Sequence, residues 1–248
     1  MKKAILIYLF IILANHLEAQ LFNFNYSVGY GVYSLGDLKK LQEEALDEIT
    51  ELPVKSVTTF PPYLYFTATA EYNQYKDLYG GIDAGFYSTG ALNHLADYSG
   101  EYSMKIKLNG WKAGAHLRQK IYSNREKDYD FGIFAQAGSG IIRSHAEITE
   151  SLVVSNNVLQ NYSITVVSLH PYIEPSLIAS YRIFKMFSVS LSAGYQYDFE
   201  SILHLKGDKE SSLVHPDLTP VYVNWSGLRI SVGLNYKLIS GTKKNPGI

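Results

Sequence analysis

The sequence predicts an all-β fold: an eight-stranded antiparallel up-and-down transmembrane β-barrel with one amphipathic helix in the first outer loop. Three observations predict this fold. The N-terminus has the layout of an export signal, eight later segments alternate apolar and polar residues, and long and short links alternate between those segments.

Residues 1–19 have the layout of a secretory signal peptide that is cleaved after Ala19. Lys2 and Lys3 precede an apolar run from Ala4 to Ala14. A helix that spans a membrane needs about 20 apolar residues, so a retained membrane helix is the weaker interpretation of this run. We therefore expect the chain to be exported.

The two-residue alternation begins directly after the signal peptide. From Phe22 to Val32 the even positions are apolar or aromatic, and the odd positions are Asn, Ser or Gly. The same pattern recurs in segments that begin at Phe22, Leu64, Ile82, Trp111, Tyr129, Val167, Phe187 and Leu228. A soluble secreted β domain also alternates and is the alternative. The export signal, the length of the strands and the tyrosines near strand ends favour a membrane barrel, in which those tyrosines anchor the interfaces.

The links between the segments support the same topology. The short links are Lys76–Leu78, Ser123–Asp128 and Phe184–Met186, and the long ones are Ser34–Pro62, Thr89–Gly100, Thr149–Asn161 and His204–Pro220. Outer-membrane barrels have short periplasmic turns and long outer loops, with both chain ends in the periplasm. We expect a barrel domain over 20–239, with a helical insert at 34–62, and a tail over 240–248.

One dipeptide conflicts with eight strands. Asn109-Gly110 is a strong hairpin signal, and the apolar parity changes there from even to odd. A turn would give nine strands, whereas a β-bulge changes parity without reversing the chain. We interpret Glu101 to Tyr122 as one bent strand with a bulge at this dipeptide.

The last segment resembles the signal by which barrel assembly machinery recognises its clients. Its candidate signal residues are Gly233, Tyr236 and Leu238, although Leu238 replaces the usual aromatic residue. With this ending, the mature chain resembles the small outer-membrane β-barrel domain proteins of Gram-negative bacteria, and Tyr87–Tyr102 is similar to a segment of Bacteroidetes-type members. The resemblance implies an outer-membrane location, with outer-membrane lipid and the assembly machinery as partners. It implies no activity.

The helix is predicted within the first long link. Its apolar positions are Leu38, Leu41, Ala45, Leu46, Ile49 and Leu52, and its other side is acidic. We expect the apolar stripe to pack on the barrel rim. A lid that binds a ligand or partner, and a plug inside the barrel, are the alternatives.

The polar face of the strands supplies the candidate site. The predicted lumen network is Glu71, Asp83, Lys112, His116, Arg118, His170, Glu174, Asp198 and Arg229, with Asp130 and Glu200 also expected to face inward. Eight strands enclose a space just wide enough for side chains to fill it, so we expect a solid polar core. A narrow pore and a catalytic or metal site are the alternatives.

Composition excludes several classes of function. The chain has 248 residues, 22 basic and 23 acidic residues and no cysteine. Thiol chemistry and disulfides are therefore impossible, and a near-neutral chain lacks the basic surface of a nucleic-acid binder. No hydrolase, metalloprotease, calcium-loop or phosphate-loop motif is present. We predict no catalytic, cofactor-binding or metal residue and no cofactor.

We therefore expect a non-enzymatic outer-membrane protein with a structural or surface-interaction role through its outer loops. A small diffusion channel and a lipid-modifying enzyme remain the alternatives. The sequence does not identify a surface ligand or protein partner.

Overall fold

The computed structural model describes residues 22–47, 55–75, 77–96, 98, 100–126, 129–155 and 157–238. The predicted signal peptide and the tail over 240–248 lie outside the described residues. In chain order the elements are β1 (Phe22–Gly31), α1 (Gly36–Asp47), β2 (Lys55–Thr59), β3 (Tyr63–Tyr75), β4 (Leu78–Ala96), β5 (Gly100–Glu126), β6 (Tyr129–Val154), β7 (Asn157–Arg182), β8 (Phe187–Asp198), β9 (Ser201–Ile202), β10 (His204–Leu205), β11 (Tyr222–Val223) and β12 (Gly227–Leu238).

Eight of these strands close into an antiparallel barrel. The ring runs β1, β3, β4, β5, β6, β7, β8 and β12, and β12 pairs with β1 to close it. Phe22 lies opposite Leu238 in that closing pair, so both ends of the described chain lie at one end of the barrel, the terminal end. The predicted eight-stranded ring is present, and β2, β9, β10 and β11 are further short strands outside it.

An apolar belt surrounds the ring on its outer surface. Along β12 the outward residues are Leu228, Ile230, Val232, Leu234, Tyr236 and Leu238, and all of them are exposed except Tyr236, which is partly buried. Phe187 to Tyr197 on β8 gives a similar row, and Trp111 to Leu117 forms part of another on β5. The rows on β12 and β8 have the length that a tilted strand needs to cross a bilayer, about 9–11 residues. Exposed apolar side chains over such an area indicate contact with lipid.

Four strands continue past the belt at the end opposite the chain termini, the cap end. β4 reaches Ala96, β5 begins at Gly100, and β6 and β7 meet near Val154 and Asn157. The prediction that Thr89–Gly100 and Thr149–Asn161 are loops is wrong, because both segments are almost entirely paired strand. From Gly100 to Asn109, β5 extends about 30 Å along its axis at about 3.4 Å per residue.

The predicted bulge at Asn109-Gly110 is also wrong. β5 passes through this dipeptide in unbroken register with both neighbours, and its irregularity lies between Lys120 and Tyr122. The even positions from Tyr102 to Arg118 are all buried except Gly114, which is partly buried. The apolar parity changes because the surroundings change: within the belt the outside is apolar, whereas past it the inside is apolar and the outside polar.

Gly110 itself is explained by packing. A Cβ at this position would lie 3.0 Å from Trp225 Cζ2 and 3.1 Å from Tyr87 Cδ2. The glycine therefore makes room for two rings and does not form a turn.

A hydrophobic core lies above the barrel at the cap end. It joins the inward side chains of the extended strands to Leu35 and Leu38 at the start of α1, and to Leu203, Val221 and Trp225 in the segment before β12. We call the strand extensions, α1 and the residues from Leu203 to Trp225 the cap. Burial of these apolar groups holds the cap together and closes one end of the barrel.

The helix α1 packs in this cap. Leu38 and Gln42 are its buried residues, and the Gln42 amide donates to Thr58 O at 2.9 Å and to Asn93 Oδ1 at 2.7 Å. The predicted apolar positions Ile49 and Leu52 lie outside the described residues. No helix among the described residues is long and apolar enough to cross a membrane.

Not all tyrosines anchor the belt. Tyr26, Tyr30 and Tyr195 face outward, as predicted, but six other tyrosines in the described part of the chain are buried inside the molecule. These are Tyr33, Tyr63, Tyr65, Tyr87, Tyr102 and Tyr172. The inward set lies near the top of the lumen and in the cap, where each ring fills space.

Candidate functional site

The part of the lumen nearer the terminal end contains a network of ion pairs. Glu71 pairs with Arg118, and His116 lies between two carboxylates, 3.5 Å from Glu71 Oε2 and 3.6 Å from Asp83 Oδ1. Asp83 also lies 3.5 Å from Lys112 Nζ. All five side chains are less than a tenth exposed. They come from inward positions of β3, β4 and β5, so strand alternation directs all five into the lumen, and the register of the three strands brings them into contact.

The middle of the lumen continues the network. Lys112 pairs with Glu174, and Arg229 Nη1 lies 3.8 Å from Glu174 Oε2. Arg229 also donates to the Tyr87 hydroxyl at 2.6 Å. Glu71, Asp83 and Glu174 are thus matched by the cations Lys112, Arg118 and Arg229. A buried charge deprived of its partner costs several kcal/mol.

A second cluster lies where the lumen meets the cap. Trp225 Nε1 donates to Ser144 Oγ at 2.8 Å, and Ser144 Oγ lies 3.1 Å from His170 Nε2. Asp198 accepts the Trp225 backbone N–H at 2.8 Å and lies 3.5 Å from His170 Nδ1. The Gln196 amide donates to Asp198 Oδ1 at 2.5 Å. These contacts fix the indole of Trp225 over the lumen.

Ser144, His170 and Asp198 have the connectivity of a serine nucleophile, a base and an orienting acid. Their environment is structural, however. Ser144 and His170 are fully buried, and Asp198 is 2% exposed. The hydroxyl oxygen of Ser144 already accepts a hydrogen bond from the indole N–H of Trp225. In this conformation no substrate atom can reach the hydroxyl.

Aromatic rings complete the closure. Trp225 packs against Tyr33, Tyr63 and Tyr87 with ring centroids 5.4, 5.6 and 5.5 Å apart. Tyr33 donates to Pro61 O at 2.8 Å, and burial raises the pKa of its hydroxyl. An aromatic layer therefore separates the polar lumen from the cap core.

The cavities in the barrel are small and separate. One of about 230 Å³ lies at the terminal end, and one of about 60 Å³ lies in the lumen. Glu71 and Arg118 line both cavities, so their ion pair lies between them. The lumen is thus blocked by the Glu71–Arg118 ion pair toward the terminal end and by the aromatic layer around Trp225 toward the cap end.

Polar contacts also hold α1 against the loop that crosses the cap. His215 Nδ1 lies 2.5 Å from Glu44 Oε2, and Lys40 Nζ lies 3.6 Å from Asp217 Oδ2. The hydroxyl and backbone N–H of Thr219 bond Asp217 and lower its pKa to about 2.

The other predicted residues lie away from this network. Asp130 pairs with Arg182 at 2.7 Å near the terminal end, and Glu200 is exposed at the rim, where it accepts from Asn224 at 2.8 Å. The predicted inward position of Glu200 is therefore wrong, because the chain leaves β8 at Asp198.

The candidate assembly residues lie on the last strand of the ring. Gly233 faces inward, where a Cβ would lie 2.6 Å from Asn25 Oδ1. Tyr236 faces outward with its ring 5.1 Å from that of Phe187, and Leu238 is the last residue of β12.

Sequence reasoning missed the seal over the lumen, which is the aromatic layer of Tyr33, Tyr63, Tyr87 and Trp225. Tyr63 and Tyr87 occupy inward positions of alternating strands, so parity was a signal for both. Trp225 lies in an irregular segment, where no local pattern indicates what it packs against. Among the described residues, no group of three or more His, Cys, Asp or Glu side chains is placed to hold a metal ion.

No protein-family model matches this sequence, and no curated protein matches it. Solved structures of outer-membrane β-barrel proteins do. OprG from Pseudomonas aeruginosa is 12% identical with a TM-score of 0.46, and the match covers 90% of this chain and 98% of that one. A major outer membrane protein from Thermus thermophilus is 12% identical with a TM-score of 0.46, covering 88% and 99%.

Ail, the attachment invasion locus protein of Yersinia pestis, in complex with the heparin analogue sucrose octasulfate, is 13% identical with a TM-score of 0.38, covering 89% and 100%. Likenesses this distant carry no argument about function. The barrel of this chain rests on its own closed ring of eight hydrogen-bonded strands.

Proposed function

We propose that this chain is an integral outer-membrane protein whose barrel is an anchor and whose cap makes contacts at the cell surface. The observation that carries the proposal is the reversal of polarity along β5. Below Gly110 the outward side chains are apolar and the inward ones polar, whereas above it Ile106 and Leu108 point inward and Lys105 and Lys107 outward. A strand needs this reversal when it passes from lipid into water.

The orientation follows from the chain ends. Barrels of an even number of strands keep both ends in the periplasm. The terminal end then faces the periplasm, and the cap faces outward. Export by a signal peptide cleaved after Ala19, assembly through Gly233, Tyr236 and Leu238, and kinship with Bacteroidetes-type proteins belong to the same proposal.

The closed lumen favours an anchor over a channel. The Glu71–Arg118 pair and the layer around Trp225 block the barrel at two levels, and both are buried. The enclosed Ser144 likewise favours a non-enzymatic role over a lipid-modifying enzyme. The barrel therefore contributes stability, and the exposed outer face of the cap is left for binding.

Two measurements on the full chain test this proposal. The membrane fraction should contain a form that changes gel mobility only after boiling, as membrane barrels do. Purified protein in a planar bilayer should show no conductance steps, with a known porin as the positive control. Discrete steps would support the channel, and a changed outer-membrane lipid profile on expression would support the enzyme.

A further inference from the structure

Two exposed cations lie beside the upper edge of the apolar belt. Arg143 on β6 is paired in register with Trp111 on one side and with Leu169 on the other, both exposed members of the belt. Lys107 is the second outward residue above Trp111 on β5. Arg143 is therefore level with the edge of the hydrocarbon, and Lys107 lies in the zone directly above it.

The spacing allows both cations to reach one anion. Lys107 is opposite Glu147, four residues along β6 from Arg143, which is about 14 Å along the strand. Lysine and arginine side chains each extend about 6 Å, and near a membrane they direct their charged ends toward the headgroups. The two cationic groups can thus meet an anion at the level of the intervening pair, Asn109 and His145.

The height of this point matches a lipid phosphate. The headgroup region adds about 5–8 Å to each side of the hydrocarbon. With a strand tilt of about 40°, the Asn109–His145 pair lies about 5 Å above the row of Trp111. Lys105, two residues further along β5 than Lys107, lies about 10 Å higher than this pair and beyond the phosphate layer.

We infer that Arg143 and Lys107 form a binding site for the phosphate of an anionic lipid in the outer leaflet. The inference rests on the membrane position proposed above. Glu147 opposes the site, because it faces Lys107 across the ladder and repels an anion. Removal of this carboxylate should therefore strengthen binding, which a site formed by apolar contact alone would not show.

Native mass spectrometry tests the inference on the full chain in a neutral detergent. The heat-modifiable protein is titrated with phosphatidylglycerol or with phosphatidylcholine of the same acyl chains. We expect at least fivefold tighter retention of phosphatidylglycerol. The double variant Arg143→Gln with Lys107→Gln should weaken the retention of phosphatidylglycerol by about 25-fold, because each cation near a membrane surface contributes about fivefold. Glu147→Gln should tighten it by about two- to fivefold.

Lys105→Gln is the matched control, since it removes one cation from the same face of the same strand. It should change retention by less than about twofold at the ionic strength of the assay. Equal retention of the two lipids, an unchanged double variant, or a Lys105→Gln effect as large as that of Lys107→Gln overturns the site. Competition by inorganic phosphate at the same concentration would assign it to free anions and overturn the lipid. A chain without a heat-modifiable form would instead contradict the barrel itself.

Discussion

Trp225 should contribute more to the stability of the folded barrel than any side chain of the belt. The residue is fully buried among three tyrosines and makes a hydrogen bond through its indole to Ser144. Trp225→Ala leaves a cavity, which costs about 3–5 kcal/mol for an aromatic residue. The lost hydrogen bond adds about 1 kcal/mol. We expect the free energy of unfolding to fall by about 4–6 kcal/mol.

The assay is urea unfolding of the full chain refolded into lipid vesicles. The folded fraction is read at each urea concentration from the mobility of unboiled samples. Trp225→Phe keeps a ring but removes the donor to Ser144, so it should cost about 1–2 kcal/mol. Trp111→Ala is the control, because that ring is 62% exposed and contacts Phe86 on the lipid face.

If Trp225→Ala lowered the free energy of unfolding by no more than Trp111→Ala does, the claim that the layer around Trp225 stabilises the barrel would be refuted. A loss for Trp225→Phe equal to that for Trp225→Ala would also refute it, because the ring would then contribute nothing by packing.

Two further predictions use the same unfolding assay. Glu71→Gln leaves Arg118 buried with no carboxylate beside it and should lower the free energy of unfolding by about 3–5 kcal/mol. Arg182→Gln, at a half-exposed ion pair, should lower it by less than about 1 kcal/mol. Equal losses for the two variants would mean that water fills the lumen. Leu191→Lys places a charge in the middle of the belt and should lower the free energy of unfolding by about 2–4 kcal/mol. Asn161→Lys, on the exposed extension of β7, should leave it almost unchanged. If Leu191→Lys were tolerated equally well, this face of the barrel would be in contact with water.

The ring and its polar lumen were predictable because strand alternation is local. Once Glu71 and Arg118 are assigned to one face of their strands, a narrow barrel brings both into the same interior. Which charges pair depends on the register between strands, which the alternation does not give. The same holds for Lys112 and Glu174.

The extensions of β4, β6 and β7 were predicted as loops, and that of β5 was predicted only with a bulge, because the same alternation changes meaning with the surroundings. Ile106 and Leu108 have the period of a strand, but their parity opposes that of Trp111, which led to the predicted bulge. A polarity pattern does not state whether water or lipid lies outside. Gly110 was likewise interpreted from its neighbour in sequence, whereas its cause is Trp225, a contact distant along the chain.

The central claim, that the belt crosses the membrane and the cap lies outside, can be tested by cysteine accessibility in intact cells. The chain has no cysteine, so each introduced thiol is the only one in the protein. With a membrane-impermeant maleimide, Lys105→Cys should be labelled in intact cells, Asp77→Cys only after the outer membrane is permeabilised, and Leu191→Cys in neither case. Labelling of Asp77→Cys but not Lys105→Cys in intact cells would contradict the orientation, and labelling of Leu191→Cys would contradict the belt.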